Sequence, residues 1–251
     1  MDDPIHQFEI TKLHEHPLFK IGAQEIYLTN SALFMFLAVG LTMLLMLGAT
    51  SRRSLVPGPF QSIAEISYEF VANTIRSTAG EEGMKFFPFV FSLFMFVLFA
   101  NVLGLVPYSF AVTSHIVITA ALAIMVFVTV LVYGFWKNGL HFLKLFVPSG
   151  IPIYILPLIV FIELLSFLSR PISHSVRLFA NILAGHITLK VFAGFVTMLG
   201  GLGLVGWLGV VLPLGLTVAL TALELLVAFL QAYVFAILTC IYINDAIHPG
   251  H

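Results

Sequence analysis

Hydrophobic positions in this chain come in long uninterrupted blocks instead of alternating with polar ones. No Lys, Arg, Asp or Glu falls between Ile26 and Ser51 or between Phe86 and Trp136. A helix needs roughly 20 such residues to cross a hydrocarbon layer of about 30 Å, so each block is long enough to form membrane spans. The first span is densest from Ala32 to Ala49 and is stopped by Arg52 and Arg53. Pro57 and Pro59 then break the chain ahead of Phe60 to Thr78, where Ile63, Ile66, Phe70 and Ile75 recur at helical spacing opposite Glu65, Glu69 and Arg76. That pattern predicts an amphipathic helix lying on the membrane surface and ended by Gly80, Glu81, Glu82 and Gly83. Second and third spans are predicted over Phe86 to Pro107 and His115 to Trp136, with Lys137 and Lys144 returning the chain to water.

From Pro148 onward the helices stay apolar but carry polar residues inside them. The glycines Gly200, Gly201, Gly203 and Gly206 predict a hairpin apex, and so two long antiparallel helices. The expected fold is an all-α polytopic membrane protein with about five embedded helices and one interfacial amphipathic helix. It divides into a polar segment 1–25, a first membrane helix 26–51, an interfacial helix and loop 52–85, two membrane helices 86–147, and a hairpin with its tail 148–251. With the amino terminus outside, inner loops hold Arg52, Arg53, Arg76, Lys85, Lys137 and Lys144 against Lys12 and Lys20 on the outer side. The excess of inner positive charge predicts that orientation, with Asp245 to His251 inside.

Composition agrees with this pattern. Only 9% of the 251 residues are charged and 60% are hydrophobic, with 25 phenylalanines. Soluble domains carry roughly 25% charge, so a water-soluble globule is excluded. A net charge of -1 without a basic run excludes nucleic-acid binding as the main role. The single cysteine, Cys240, has no partner for an internal disulfide and no metal-ligand neighbours, and it is expected to be a lipid-facing or packed apolar residue. His6, His14 and His16 lie near Glu15 in what is expected to be a solvated tail. No cleavable signal peptide, cofactor site or metal site is expected.

Between Leu145 and Asn244 the charged residues are Glu163, Arg170, Arg177, Lys190 and Glu224, with His174 and His186 among them. Arg177 is the most demanding of these, because a guanidinium in lipid cannot neutralise itself by losing a proton. It must face protein, water or a counter-charge, or snorkel to an interface. Glu163, Arg170 and Arg177 step by seven and form one stripe, Asn181 shares a face with Arg177, and Glu224 and Gln231 share a face of the last helix. In an antiparallel pair, contacting residues have nearly constant index sums. Arg177 with Gln231, His186 with Glu224 and Glu163 with Asp245 all sum to about 408 to 410, which places the turn inside the glycine cluster. Lys190 is expected to snorkel outward, and His174 with Arg170 to sit at a helix end or line an inner vestibule.

The run from Ser175 to His186 (SVRLFANILAGH), with Leu230-Gln231-Ala232-Tyr233 on the last helix, resembles subunit a of the F-type rotary ATP synthase. The likeness extends over most of the chain, including Gln7-Phe8-Glu9 and Asn101-Val102-Leu103-Gly104-Leu105-Val106-Pro107. It implies that Arg177 is the stator arginine and Gln231 its partner, and that His186 and Glu224 line the inlet half-channel. Asn181, Glu163 and Asp245 are expected to line the channel, the last two on the outlet side. Many bacterial relatives carry an acidic residue first and a histidine second. Here they are exchanged, as in mitochondrial and some alphaproteobacterial members, which keeps one carboxylate and one imidazole across the helix pair. The resemblance further implies a c-subunit ring that the hairpin faces, b-type peripheral stalk subunits, lipid and transported protons as partners. The expected location is the bacterial inner membrane, amino terminus periplasmic and carboxyl terminus cytoplasmic. No catalytic nucleotide site is read in the chain. Two other classes compete: a stand-alone ion or solute transporter, for which no internal repeat is visible, and an intramembrane enzyme, for which no HExxH or GxSxG appears.

Overall fold

A computed structural model describes residues 9–13, 19–21, 24–51, 57–106, 109–147, 152, 154–201 and 203–249. The His6, His14 and His16 cluster, Gln7 and Phe8 of the amino-terminal motif, the stop at Arg52 and Arg53, Pro107 and Pro148 lie outside these residues. A short antiparallel hairpin, β1 (Phe19–Ile21) and β2 (Gln24–Ile26), precedes the helices. Six long helices follow: α1 (Asn30–Ser51), α2 (Pro59–Gly83), α3 (Phe87–Gly104), α4 (Ile116–Asn138), α5 (Leu156–Gly200) and α6 (Leu204–Ile247). Single 3-10 segments join some of them, at Met84–Phe86, Val112–Ser114 and Gly139–Phe146.

Among the described residues, five stretches are long and apolar enough to cross a membrane: Asn30–Ser51, Pro59–Gly104, Ile116–Phe146, Leu156–Gly200 and Gly209–Ile247. Helices satisfy their own backbone groups, which is why an apolar chain takes this form in lipid. The chain is a multi-pass, almost wholly helical membrane protein. α5 and α6 run 45 and 44 residues and keep Pro171 and Pro213 inside them. The expected apex is where the hairpin turns: α5 ends at Gly200, and Gly203 has φ +78°, a left-handed conformation that a β-carbon would strain.

The amphipathic helix ends where expected: Gly80 breaks the helical backbone at φ +67°, and one further turn carries α2 to Gly83. Its buried face is made of Ala64, Val71, Ala72, Ile75 and Ala79, whereas Ile63 and Ile66 are exposed. Small residues let helix backbones approach closely, and in lipid that packing outweighs the burial of large apolar side chains.

The chain forms two compact units. The first contains residues 1–43, 96–115 and 178–231. Its core includes Ala38, Val97, Ala100, Phe110, Leu178 and Ala228. In it α5 and α6 run antiparallel, since a β-carbon built at Gly200 meets Val210 at 4.0 Å and one at Gly209 meets Leu199 at 3.7 Å.

The second unit contains residues 44–95, 116–177 and 232–251. Here Phe70 packs between Phe94 and Tyr233, and Phe167 meets Phe127, Phe142 and Phe146. Polar ties join its helices: Thr119 and Ser175 hydroxyls lie 3.0 Å apart, Asn138 donates to the Ala246 carbonyl at 2.7 Å, and Lys137 pairs with Glu82 at 2.5 Å. Cys240 is buried in this unit, the packed one of its two expected placements.

Candidate functional site

In the first unit, α5 and α6 bring together four of the expected residues. Asn181 Nδ2 donates to Gln231 Oε1 at 2.9 Å, one end of a polar contact between the helices. Gln231 is 4% exposed, so this bond meets a polar group that has little access to solvent. About two helical turns away on α6, the Glu224 carboxylate lies against the backbone of Gly185. A β-carbon built at 185 would meet Glu224 Cδ at 3.0 Å and Oε1 closer still. Glu224 Oε2 is buried and has no hydrogen-bond partner among the described residues. A carboxyl group placed there without a fixed partner is available to a mobile proton donor or acceptor.

His186 follows Gly185 directly. Its Nε2 lies 3.5 Å from the position of a β-carbon at Gly104, at the end of α3. It lines a cavity of about 740 Å³ together with Asn30, Ser109, Lys190, Thr217 and Thr221 among others. Lys190 is half-buried and lines this space as well. The two residues are one helical turn apart and so share a face, the signal in the sequence that pointed to this placement. The cavity is large enough for several waters, and its hydroxyls, amide, imidazole and ammonium provide the polar partners that waters require.

The second unit holds Glu163, Arg170, His174, Arg177 and Asp245. Asp245 accepts a charged hydrogen bond from Arg170 Nη1 at 2.6 Å, and the guanidinium lies 5.2 Å from the Phe167 ring and 5.0 Å from that of Tyr242. The expected alignment of Asp245 with Glu163 is therefore corrected by two helical turns of α5, about 10 Å. Glu163 is half-buried and, among the described residues, makes no hydrogen bond or ion pair. His174 lies well inside α5, which corrects the expected helix-end position. It is 3% exposed and stands edge-on to Phe235, with ring centroids 3.8 Å apart.

Arg177 lies on an exposed face of α5, with Ile172 and Val176 also exposed nearby. Among the described residues it makes no hydrogen bond or ion pair. A guanidinium on an apolar membrane helix, without a counter-charge of its own, requires one from outside the chain or from water.

Asn101, which belongs to the Asn101–Pro107 run that carries the family resemblance, is also placed at a helix contact. In the first unit it is 1% exposed, donates to the Ala228 carbonyl on α6 at 3.3 Å, and accepts from Thr113 at 2.7 Å. A lone amide in an apolar run was the available signal, since such groups in lipid need partners on neighbouring helices.

Residues 32–244 match the model of the ATP synthase A chain family. The chain is 73% identical over 254 residues to the ATP synthase subunit a of Nitrobacter winogradskyi, covering 100% of both. It is 70% identical to that of Rhodopseudomonas palustris strain HaA2 over 249 residues, 99% of each, and 71% identical to that of Nitrobacter hamburgensis over 251 residues, 100% of each.

Proposed function

The chain belongs to the ATP synthase A chain family, and we propose that it is the proton-translocating stator subunit of an F-type ATP synthase, with Arg177 as the barrier between two aqueous half-channels. The observation that carries the barrier assignment is the exposed Arg177 on an apolar helix face, without an ion-pair partner among the described residues. The missing counter-charge fits a carboxylate carried past on a neighbouring subunit. We assign that carboxylate to a ring of c subunits facing α5 and α6, with b-type stalk subunits holding the stator still.

Each ring carboxyl group must be neutral to pass through lipid and ionised to exchange its proton. A fixed cation at one point on its path favours the ionised form there. It also repels a proton travelling directly between the half-channels. Since arginine stays protonated, it can act as a gate without becoming a relay. A proton crossing the membrane releases about 2.3 kcal/mol per 100 mV, and rotation captures that energy only while the direct leak is closed.

We assign His186 and Glu224 to the inlet half-channel. The cavity beside His186 supplies room for water, and the unpartnered Glu224 oxygen supplies an acceptor. Imidazole can both accept and donate a proton through its two ring nitrogens, so His186 belongs to a residue type suited to pass protons. Asn181 and Gln231 orient one another beside this path. Glu163 is the outlet carboxylate in this reading. Asp245, held by Arg170, lines the outlet as a fixed charge. The membrane is assigned as the bacterial inner membrane, with the amino terminus periplasmic and the carboxyl terminus cytoplasmic, from the distribution of Lys and Arg among the loops.

The test is Arg177→Ala in the assembled complex, reconstituted in vesicles. ATP-driven proton pumping should be lost while the subunits still co-purify, and normal coupled pumping would overturn the assignment.

A further inference from the structure

We propose that Asn101 and Thr113 are positioning residues for proton transfer: a buried amide and hydroxyl that hold the Glu224–Gln231 stretch of α6 through the carbonyl of Ala228. The inference rests on the proton-channel reading of this chain. All the residues involved belong to the first compact unit.

The three groups are sealed from solvent, with Asn101 at 1% exposure and Thr113 and Ala228 at 0%. Of the two ends of the Asn101 amide, only the NH2 group can donate to a carbonyl, so the 3.3 Å contact with Ala228 fixes which way the amide faces. Its oxygen then faces Thr113, which must donate, and that bond is 2.7 Å long. The chain of donors has one direction, and its members satisfy each other. Thr113 is itself held in the tight segment Val112–Ser114, where Ser114 Oγ donates to the Ala111 carbonyl at 2.6 Å.

The acceptor is placed where it matters. Ala228 follows Glu224 by four residues and precedes Gln231 by three, so all three share one face of α6. The Ala228 carbonyl lies within the helix ladder, and the Asn101 amide uses its second lone pair. Apolar helix faces tolerate sliding, because lipid is as good a neighbour as another apolar side chain, whereas a directional bond to one carbonyl does not. A slip of one residue would move α6 by about 1.5 Å along its axis. That would carry the Glu224 carboxylate off the Gly185 surface and draw Gln231 away from Asn181. Asn101 and Thr113 touch no transported proton; they act through the two residues that they hold.

The test uses Thr113→Val, which keeps the shape and removes the hydroxyl, and Thr113→Ser, which keeps the hydroxyl. Thr113→Ala replaces the valine variant if that one does not assemble. In the whole ATP synthase reconstituted into phosphatidylcholine vesicles, ATP-driven proton uptake is measured per assembled complex across pH. Thr113→Val should pump about fivefold more slowly, the factor expected for one lost neutral hydrogen bond, with a shifted pH midpoint. Thr113→Ser should retain the rate and the midpoint. An unchanged rate and midpoint in Thr113→Val would overturn the proposal. Hydrogen exchange of the backbone amides at 228–232 in the purified complex gives a second decision, with faster exchange expected in Thr113→Val and unchanged exchange counting against it. If the unsubstituted complex pumped no protons when given ATP, the functional reading would fail while the exchange data still judged the positioning role.

Discussion

The Glu224 carboxylate rests on the backbone of Gly185, in space that any β-carbon at that position would occupy. The absence of a side chain on α5 is what lets a carboxyl group approach between two long helices. Gly185→Ala should push the carboxylate aside. A displacement near 1 Å at a reacting group costs up to about 100-fold in rate, so proton conduction is expected to fall by about ten- to a hundredfold at normal assembly. Adding Glu224→Asp, which withdraws the carboxylate by one methylene, should recover part of the loss. Vesicle proton uptake normalised to subunit content would measure both, and full activity in Gly185→Ala alone would show that the contact is not required.

Arg170 and Asp245 form a different kind of pair, one that holds the second unit together. The side chains are 20% and 24% exposed, and the guanidinium stands near two rings as well as the carboxylate. Asp245→Asn and Arg170→Gln should each lower the stability of the purified protein by about 1 kcal/mol or more. The doubly substituted chain should lose less than the sum of the two. A double-mutant cycle in thermal unfolding would measure that coupling, and strict additivity would mean that the pair contributes nothing.

The apex of the hairpin offers a test of register. A β-carbon at Gly200 stands 4.0 Å from Val210 Cγ2. A cysteine at 210 carries its sulfur at a γ position like that one, in contact with the side chain of a cysteine at 200. Cysteines at 200 and 210 in a Cys240→Ala background should therefore cross-link under mild oxidation, whereas a pair shifted by two residues on α6 should not. Gel mobility after oxidation distinguishes the two results.

The apex was legible because glycines are rare inside long helices and four of them clustered between two apolar runs. The partner of Asp245 was not. Glu163, Arg170 and Arg177 step by seven along one stripe, so an index sum places all three on the right face without choosing the height. Charge decides it, since opposing Asp245 with Glu163 would have set two carboxylates together, whereas Arg170 gives a 2.6 Å ion pair. On α2 the helical period placed Ile63 and Ile66 on the apolar face, whereas which residues meet neighbouring helices is set by size, and Ala64, Ala72 and Ala79 are the buried ones. Asn101 was visible as a lone polar residue, yet its partners, Thr113 and Ala228, are 12 and 127 residues away and only the fold supplies them.

The Asn181–Gln231 bond has a direction, and direction can be tested. Asn181 Nδ2 donates and Gln231 Oε1 accepts at 2.9 Å. Asn181→Asp removes the donor and sets an acceptor against an acceptor, whereas Gln231→Glu leaves an acceptor where one is needed. Both substitutions are nearly isosteric and both add the same charge at the same contact, so the cost of placing a charge there largely cancels when they are compared. What remains is the hydrogen bond, and a buried acceptor deprived of its donor costs about 1–3 kcal/mol. Asn181→Asp should therefore destabilise the protein by that amount more than Gln231→Glu, measured as the difference in thermal unfolding of the two purified variants. Equal losses would mean that the bond contributes no net stability, and the reverse order would mean that the amides face the other way, with Gln231 as the donor.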